Sequence, residues 1–189
     1  MGRRLHLLAT PAILMLLTAN SACARSGPFI PPEDPMVGRP APPFVFHGVQ
    51  KHRRSFPVSN FAGKTLVLIL IRPGQPELQT LLQELDRMHR DPAFSDAQFM
   101  VMASEEDPII EPFWIGLQNP LPFALDFTDA AGRYGAGTLP MVVIRDFRGI
   151  IRLRLDGYVG KEFLPRLEAT KRILKQVEQA RSRPADSSR

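Results

Sequence analysis

The apolar positions in the middle of the chain predict a strand that runs into a helix. Residues 66–71 form an unbroken apolar run, with the length and composition of a strand buried on both faces. After a short turn, apolar residues recur at helical spacing at Leu78, Leu81, Leu82, Leu85 and Met88. The strand is therefore expected to deliver a turn and a helix N-terminus to one edge of a sheet.

The other apolar runs predict further strands and helices. Strands are predicted at 44–46, 99–103, 121–127, 141–145 and 150–155. Helices are predicted at 109–117 and 161–179, with one or two helical turns at 129–134. Helices between buried strands require parallel crossovers, whereas the turn at 146–149 joins the last two strands as an antiparallel hairpin. The predicted fold class is α/β, with a mixed central sheet flanked by helices.

The N-terminal residues have the layout of a secretory signal, so we assign residues 1–24 as a signal peptide or lipoprotein signal. Two arginines precede an apolar stretch from about Leu5 to Ala19, which is shorter than the ~20 residues needed to span a membrane. The small residues before Cys23 resemble the bacterial lipobox, which would make Cys23 a lipidation site. Cleavage after Ala24 and an uncleaved signal anchor are the alternatives. The expected location is the periplasmic side of a bacterial cell envelope, where a lipid anchor or signal anchor would attach the protein to the membrane.

Composition divides the rest of the chain into three parts. Residues 25–43 contain seven prolines and no periodic apolar pattern, which is typical of an extended stalk. We assign residues 25–36 to a proline-rich linker, 37–179 to a single domain and 180–189 to a disordered tail.

Charge and histidine spacing give little support to nucleic-acid or metal binding. The formal net charge is +5, and two of the basic residues lie in the signal segment. The basic cluster at 51–54 is predicted to be an exposed hairpin tip rather than a nucleic-acid site. His47, His52 and His89 lack ligand spacing and carboxylate neighbours, so no metal and no cofactor are predicted.

Several short motifs resemble a known family when they are taken together. They are Val37-Gly38-x-x-Ala41-Pro42-x-Phe44, Phe61-Ala62-Gly63-Lys64, Tyr134-Gly135, Thr138-Leu139-Pro140 and Asp146-x-x-Gly149-x-Ile151. Their order and spacing, over about residues 37–178, resemble the redoxin branch of the thioredoxin superfamily. That branch includes membrane-anchored thiol-disulfide proteins of the bacterial periplasm and the peroxiredoxins. The resemblance implies a thioredoxin-like three-layer sandwich in which Pro140 is a cis-proline that faces the active-site turn.

The chain departs from this family at the active-site turn itself. Active members place Cys-x-x-Cys or a peroxidatic cysteine after the first buried strand, where residues 72–78 of this chain read RPGQPEL. One alignment puts Gly74 and Glu77 at the cysteine positions, and another puts Gln75 and Leu78 there. The only cysteine of the chain is Cys23, so no thiol pair can cycle and no catalytic residue is predicted.

An intact fold signature around an absent thiol pair predicts a domain without its own redox centre. We expect it to bind a protein or peptide partner in the cell envelope, and not nucleic acid. The expected binding residues are those of the degenerate turn and those before the last hairpin: Arg72, Gly74, Gln75, Pro76, Glu77, Thr138, Leu139 and Pro140.

Two other hypotheses stay open from the sequence. The first is a thiol-disulfide or peroxide oxidoreductase that acts through a partner thiol or through Cys23. The second is a small-anion site at the helix N-terminus beside Arg72. Against the second stands the simpler interpretation that Glu77 occupies the first helical turn and that Arg72 is solvated.

Overall fold

The computed structural model describes residues 34–48, 55–104, 109–126 and 129–182. The strands are β1 (Val45–Gly48), β2 (Ser55–Pro57), β3 (Leu66–Ile71), β4 (Gln98–Ser104), β5 (Phe123–Asp126), β6 (Met141–Arg145) and β7 (Ile151–Asp156). The helices are α1 (Leu78–Arg90), α2 (Ile110–Leu117), α3 (Ala130–Arg133) and α4 (Phe163–Ser182). The strands form one sheet in the order β2-β1-β5-β4-β3-β6-β7.

Strand β3 lies inside the sheet and is buried along its whole length, as its apolar run predicted. It pairs in parallel with β4 and antiparallel with β6. Because successive side chains point to opposite faces, β3 contributes to two separate cores. Val67, Ile69 and Ile71 join one core, while the intervening leucines join the other.

Helices cover the two faces of the sheet unequally. The predicted apolar stripe of α1 is buried in the first core, together with the inward residues of α4 and Ile110 of α2. The second core is built from α3 and an aromatic group next to β1. The α/β class and the three-layer arrangement are therefore confirmed.

The aromatic group centres on Phe46, which is fully buried in β1. Its ring centroid lies 4.8 Å from that of Phe44, 5.1 Å from Phe56 and 5.5 Å from Phe61. Phe56 lies in β2, which is antiparallel to β1 and was not predicted because it has only three residues and ends in a proline. The basic cluster predicted as the tip of this hairpin lies outside the described residues.

Residues 34–41 pack along the sheet, and the first three of them fall in the predicted linker. Asp34 pairs with Arg154 of β7 at 2.5 Å, and both side chains are largely buried. Two backbone bonds of 2.8 Å follow, from Gly38 N–H to the carbonyl of Ile151 and from Ala41 N–H to that of Gly149. This N-terminal segment is thereby fixed along the edge of the sheet.

Helix α4 runs to Ser182, beyond the predicted end at residue 179. Arg181 in its last turn contacts the Asp96 carboxylate at 3.4 Å and the Glu178 carboxylate at 3.6 Å, which favours the extra turn. The predicted signal, Cys23, most of the linker and the rest of the tail lie outside the described residues. Within the described ranges, no helix is long and apolar enough to cross a membrane.

Candidate functional site

Three loops meet at one edge of the sheet. Leu70 of β3 is opposite Met141 of β6, so the turn after β3 and the residues before β6 leave the sheet side by side. Met141 is in turn opposite Asp156, the last residue of β7. The Gly157 N–H donates to the Pro140 carbonyl at 3.1 Å, which brings the loop after β7 to the same place. The structure thus brings together the two predicted segments, 72–77 and 138–140, and adds the loop 157–160.

The turn after β3 is closed by its own polar groups. The Arg72 N–H donates to the side-chain oxygen of Gln75 at 2.7 Å, and the Leu78 N–H donates to the Gln75 carbonyl at 3.3 Å. Gly74 has φ 73°, a conformation that favours glycine because it has no Cβ. Gln75 therefore supports the shape of the turn. The Arg72 side chain is exposed and makes no ion pair with any described residue.

Glu77 differs from its predicted placement. It precedes the first residue of α1 with φ 60°, a left-handed conformation that is uncommon for a residue other than glycine. Its carboxylate does not cap α1, and instead accepts the Gly160 N–H at 3.0 and 3.2 Å. The interpretation that Glu77 occupies the first turn of α1 is therefore wrong. Glu77 connects the turn after β3 to the loop after β7.

The peptide bond between Leu139 and Pro140 is cis, as the resemblance implied. Pro140 is buried, Leu139 is half-buried and Thr138 is exposed. No backbone hydrogen bond of Thr138 or Leu139 to another described residue is present. The main chain before Pro140 therefore offers donor and acceptor groups to a ligand.

Two buried tyrosines and one arginine hold the loops in place. Tyr158 donates its hydroxyl proton to Thr170 at 2.6 Å, because the Thr170 hydroxyl itself donates to the Arg166 carbonyl. Arg154 donates to the carbonyls of Tyr134 and Gly135, in addition to its ion pair with the N-terminal segment. The loop before β6 and the loop after β7 are each fixed by groups buried beneath them.

Apolar side chains are exposed beside this edge. Val159 is 36% exposed and Leu164, in the first turn of α4, is 66% exposed. Neither the loop 157–160 nor these two residues were among the binding residues predicted from the sequence. The glycines at 157 and 160 on either side of Tyr158-Val159, directly after a strand, were the available signal.

The described part of the site holds no thiol and no group of three residues able to ligate a metal. Its resources are a turn, an unpaired stretch of main chain, one exposed arginine and exposed apolar side chains.

The sequence matches no family model and no curated protein. Solved structures do match. A proposed thiol:disulfide interchange protein DsbE from Chlorobium tepidum has 15% identity and a TM-score of 0.65, over 75% of this chain and 97% of that chain. An uncharacterized conserved protein from Geobacillus kaustophilus has 20% identity and a TM-score of 0.61, over 79% and 86%. The exposed lipoprotein thioredoxin of Streptococcus pneumoniae has 19% identity and a TM-score of 0.54, over 68% and 99%.

This is a thioredoxin-like fold. The likeness accounts for the mixed sheet and its helical layers, as the sequence motifs implied. The motif resemblance predicts that residues 72–78 correspond to the active-site turn of such folds, and none of these residues is a cysteine.

Two substitutions of Glu77 separate the role of its side chain from that of its backbone. Glu77→Ala removes the carboxylate that holds Gly160, so we expect the free energy of unfolding to fall by about 1 kcal/mol. Glu77→Gly removes the same carboxylate but suits φ 60°, so it should be more stable than Glu77→Ala by about 1 kcal/mol. Urea unfolding measures both values. Equal stability of the two variants would contradict the left-handed backbone.

Alkaline pH should destabilise the domain through its only two tyrosines, Tyr134 and Tyr158. Burial raises the pKa of both phenols well above the ordinary value of 10.0, although Arg145 opposes the shift at Tyr134 and Thr170 opposes it at Tyr158. The unfolded chain loses these protons near pH 10 and the folded chain keeps them. The free energy of unfolding should therefore fall above pH 10, by up to about 1.4 kcal/mol per pH unit for each tyrosine.

Urea unfolding between pH 9 and 11 (about one unit to each side of the ordinary pKa) tests this, with Tyr158→Phe as the comparison. That variant lacks the hydrogen bond to Thr170, so its free energy of unfolding at neutral pH should be about 1 kcal/mol lower than that of the parent. It should then lose stability less steeply than the parent as the pH rises. Tyrosinate absorbance that appears near pH 10 while the protein is still folded would refute the burial argument.

Proposed function

We propose that this protein is an extracytoplasmic thioredoxin-fold domain that binds a protein or peptide partner and has no thiol redox centre of its own. The proposal rests on one observation about the edge of the sheet where the three loops meet. The loops and the cis-proline are in place, but the turn that would hold the cysteines reads RPGQPEL.

Main-chain geometry supports an extended peptide as the ligand. The backbone of Thr138 and Leu139 pairs with no other described residue. An extended peptide that lies alongside these residues can form main-chain hydrogen bonds, as in the addition of a strand to a sheet. Such bonds depend little on the peptide sequence, so specificity must come from neighbouring side chains.

The neighbouring side chains favour a partner with an apolar residue. Val159 and Leu164 are exposed directly after the loop that contacts Glu77, and burying them in a complex would remove apolar surface from water. Arg72 stands exposed on the turn without an ion pair in the described structure, and is available to a partner carboxylate. Together these residues favour an apolar peptide segment with a nearby acidic group.

Location outside the cytoplasm is part of the same proposal. It is supported by the signal layout of residues 1–24 and by the similarity to a protein named as an exposed lipoprotein. We propose that Cys23 carries a lipid and that the proline-rich segment separates the domain from the membrane.

Photo-crosslinking tests the binding edge. A photoreactive residue at Thr138 should give adducts with an envelope protein or peptide in intact cells, whereas one at Gln179 on α4 should not. Leu164→Asp should lower the yield at Thr138 by about tenfold, because it places a charge in the apolar part of the interface. Ile115→Asp is the matched control, since Ile115 is similarly exposed at 59% but lies on α2. If both variants lowered the crosslinking yield equally, or if neither lowered it, the proposal that the partner binds at this surface would be refuted.

Cys23→Ser tests the tether and the absence of redox chemistry together. The variant should leave the membrane fraction and appear in the soluble envelope fraction, because a lipid anchor needs the thiol. Purified parent and variant should reduce insulin disulfides only at the background rate, since no thiol pair exists in the chain. Activity of the parent above the variant would support the oxidoreductase hypothesis instead.

A further inference from the structure

A cleft lies at the other end of β6, away from the candidate site. Its volume is about 470 Å³, which falls within the range of small-molecule sites. It is formed between the turn that joins β6 to β7 and the C-terminal half of α4. The apolar side chains that line it are those of Val37, Phe147, Ile173, Val177 and Ala180. Val37 is 44% exposed, so an apolar wall faces solvent here.

The carboxylate in this cleft is bonded at both of its oxygens. One Asp146 oxygen accepts the N–H groups of Arg148 and Ile150, each at 2.9 Å. The other accepts the Arg152 Nε–H at 2.7 Å. Asp146 therefore closes the hairpin turn and fixes Arg152, and the Arg152 guanidinium already balances its charge.

Positive charge remains at the rim of the cleft. The Arg148 guanidinium lies 5.3 Å from the centroid of the Phe147 ring and forms no ion pair with a described carboxylate. Arg152 uses its Nε on Asp146, and its side chain is still 41% exposed. The cleft thus has an apolar floor beside two guanidinium groups.

We propose that this cleft binds a fatty-acid-like carboxylate. The hydrocarbon chain lies between Phe147 and the apolar face of α4, and the carboxylate meets Arg148 with Arg152 beside it. A peptide fits this lining less well, because each of its main-chain amides needs a polar partner. Apart from Gln176, the wall on α4 offers only carbon.

Titration of the purified protein with dodecanoate, followed by two-dimensional amide NMR, tests the proposal. Dodecanoate should shift the resonances of Phe147, Ile173 and Val177, and dodecanol should bind more weakly. Arg148→Gln should weaken dodecanoate binding by about fivefold, the effect of one partly exposed charge pair, and should leave dodecanol binding unchanged. Lys64→Gln is the control for charge loss at an exposed site and should have no effect.

A cleft-filling variant keeps the test decisive. Ala180→Trp changes an exposed helix residue that lines the cleft, so the protein should fold and lose dodecanoate binding. No shifts at the cleft, or equal binding of dodecanol and dodecanoate, would overturn the proposal. Preferential binding of an apolar peptide with a free C-terminal carboxylate would overturn it in favour of a peptide. The partner edge at Thr138 and Leu139 lies at the opposite end of β6, so failure there leaves this result unaffected.

Discussion

The pairing of β3 with β6 determines where everything else in this domain can lie. β3 is buried on both faces, and its antiparallel register with β6 puts Leu70 opposite Met141. A shift of one residue would turn every β3 side chain to the opposite face of the sheet. The side chains that now pack against α1 would then face the aromatic group, and neither core would fit. The register is therefore enforced by packing. It fixes the turn after β3 beside Pro140 whether or not that turn carries chemistry.

None of the contacts that support the loops needs a cysteine, so the edge can keep its shape without one. The loops are held by Tyr158 and Arg154 beneath them and by the Glu77 carboxylate at the surface, and none of these contacts involves a thiol. The shape of this surface therefore does not depend on a thiol.

The parts of the fold that depend on local pattern could be predicted from the sequence. The buried strand, the stripe of α1 and the late hairpin each leave a periodic or turn signal within a few residues. β2 left no such signal, since three residues are too few to show a period. The contact between Glu77 and Gly160 joins residues that lie 83 positions apart, and the pair Asp34–Arg154 joins residues 120 apart. Such contacts depend on the tertiary arrangement, so neither the third loop of the site nor the packing of Asp34 against β7 was predicted.

Arg154 has a mechanical consequence if the chain is tethered through its N-terminus. A pulling force would be transmitted through Asp34 to the segment that lies antiparallel to the start of β7. The ion pair and the two backbone bonds that follow it would then be loaded together, in shear, rather than opened one after another. The same guanidinium holds the carbonyls of Tyr134 and Gly135, so tension on the tether would be felt by the loop that precedes Pro140.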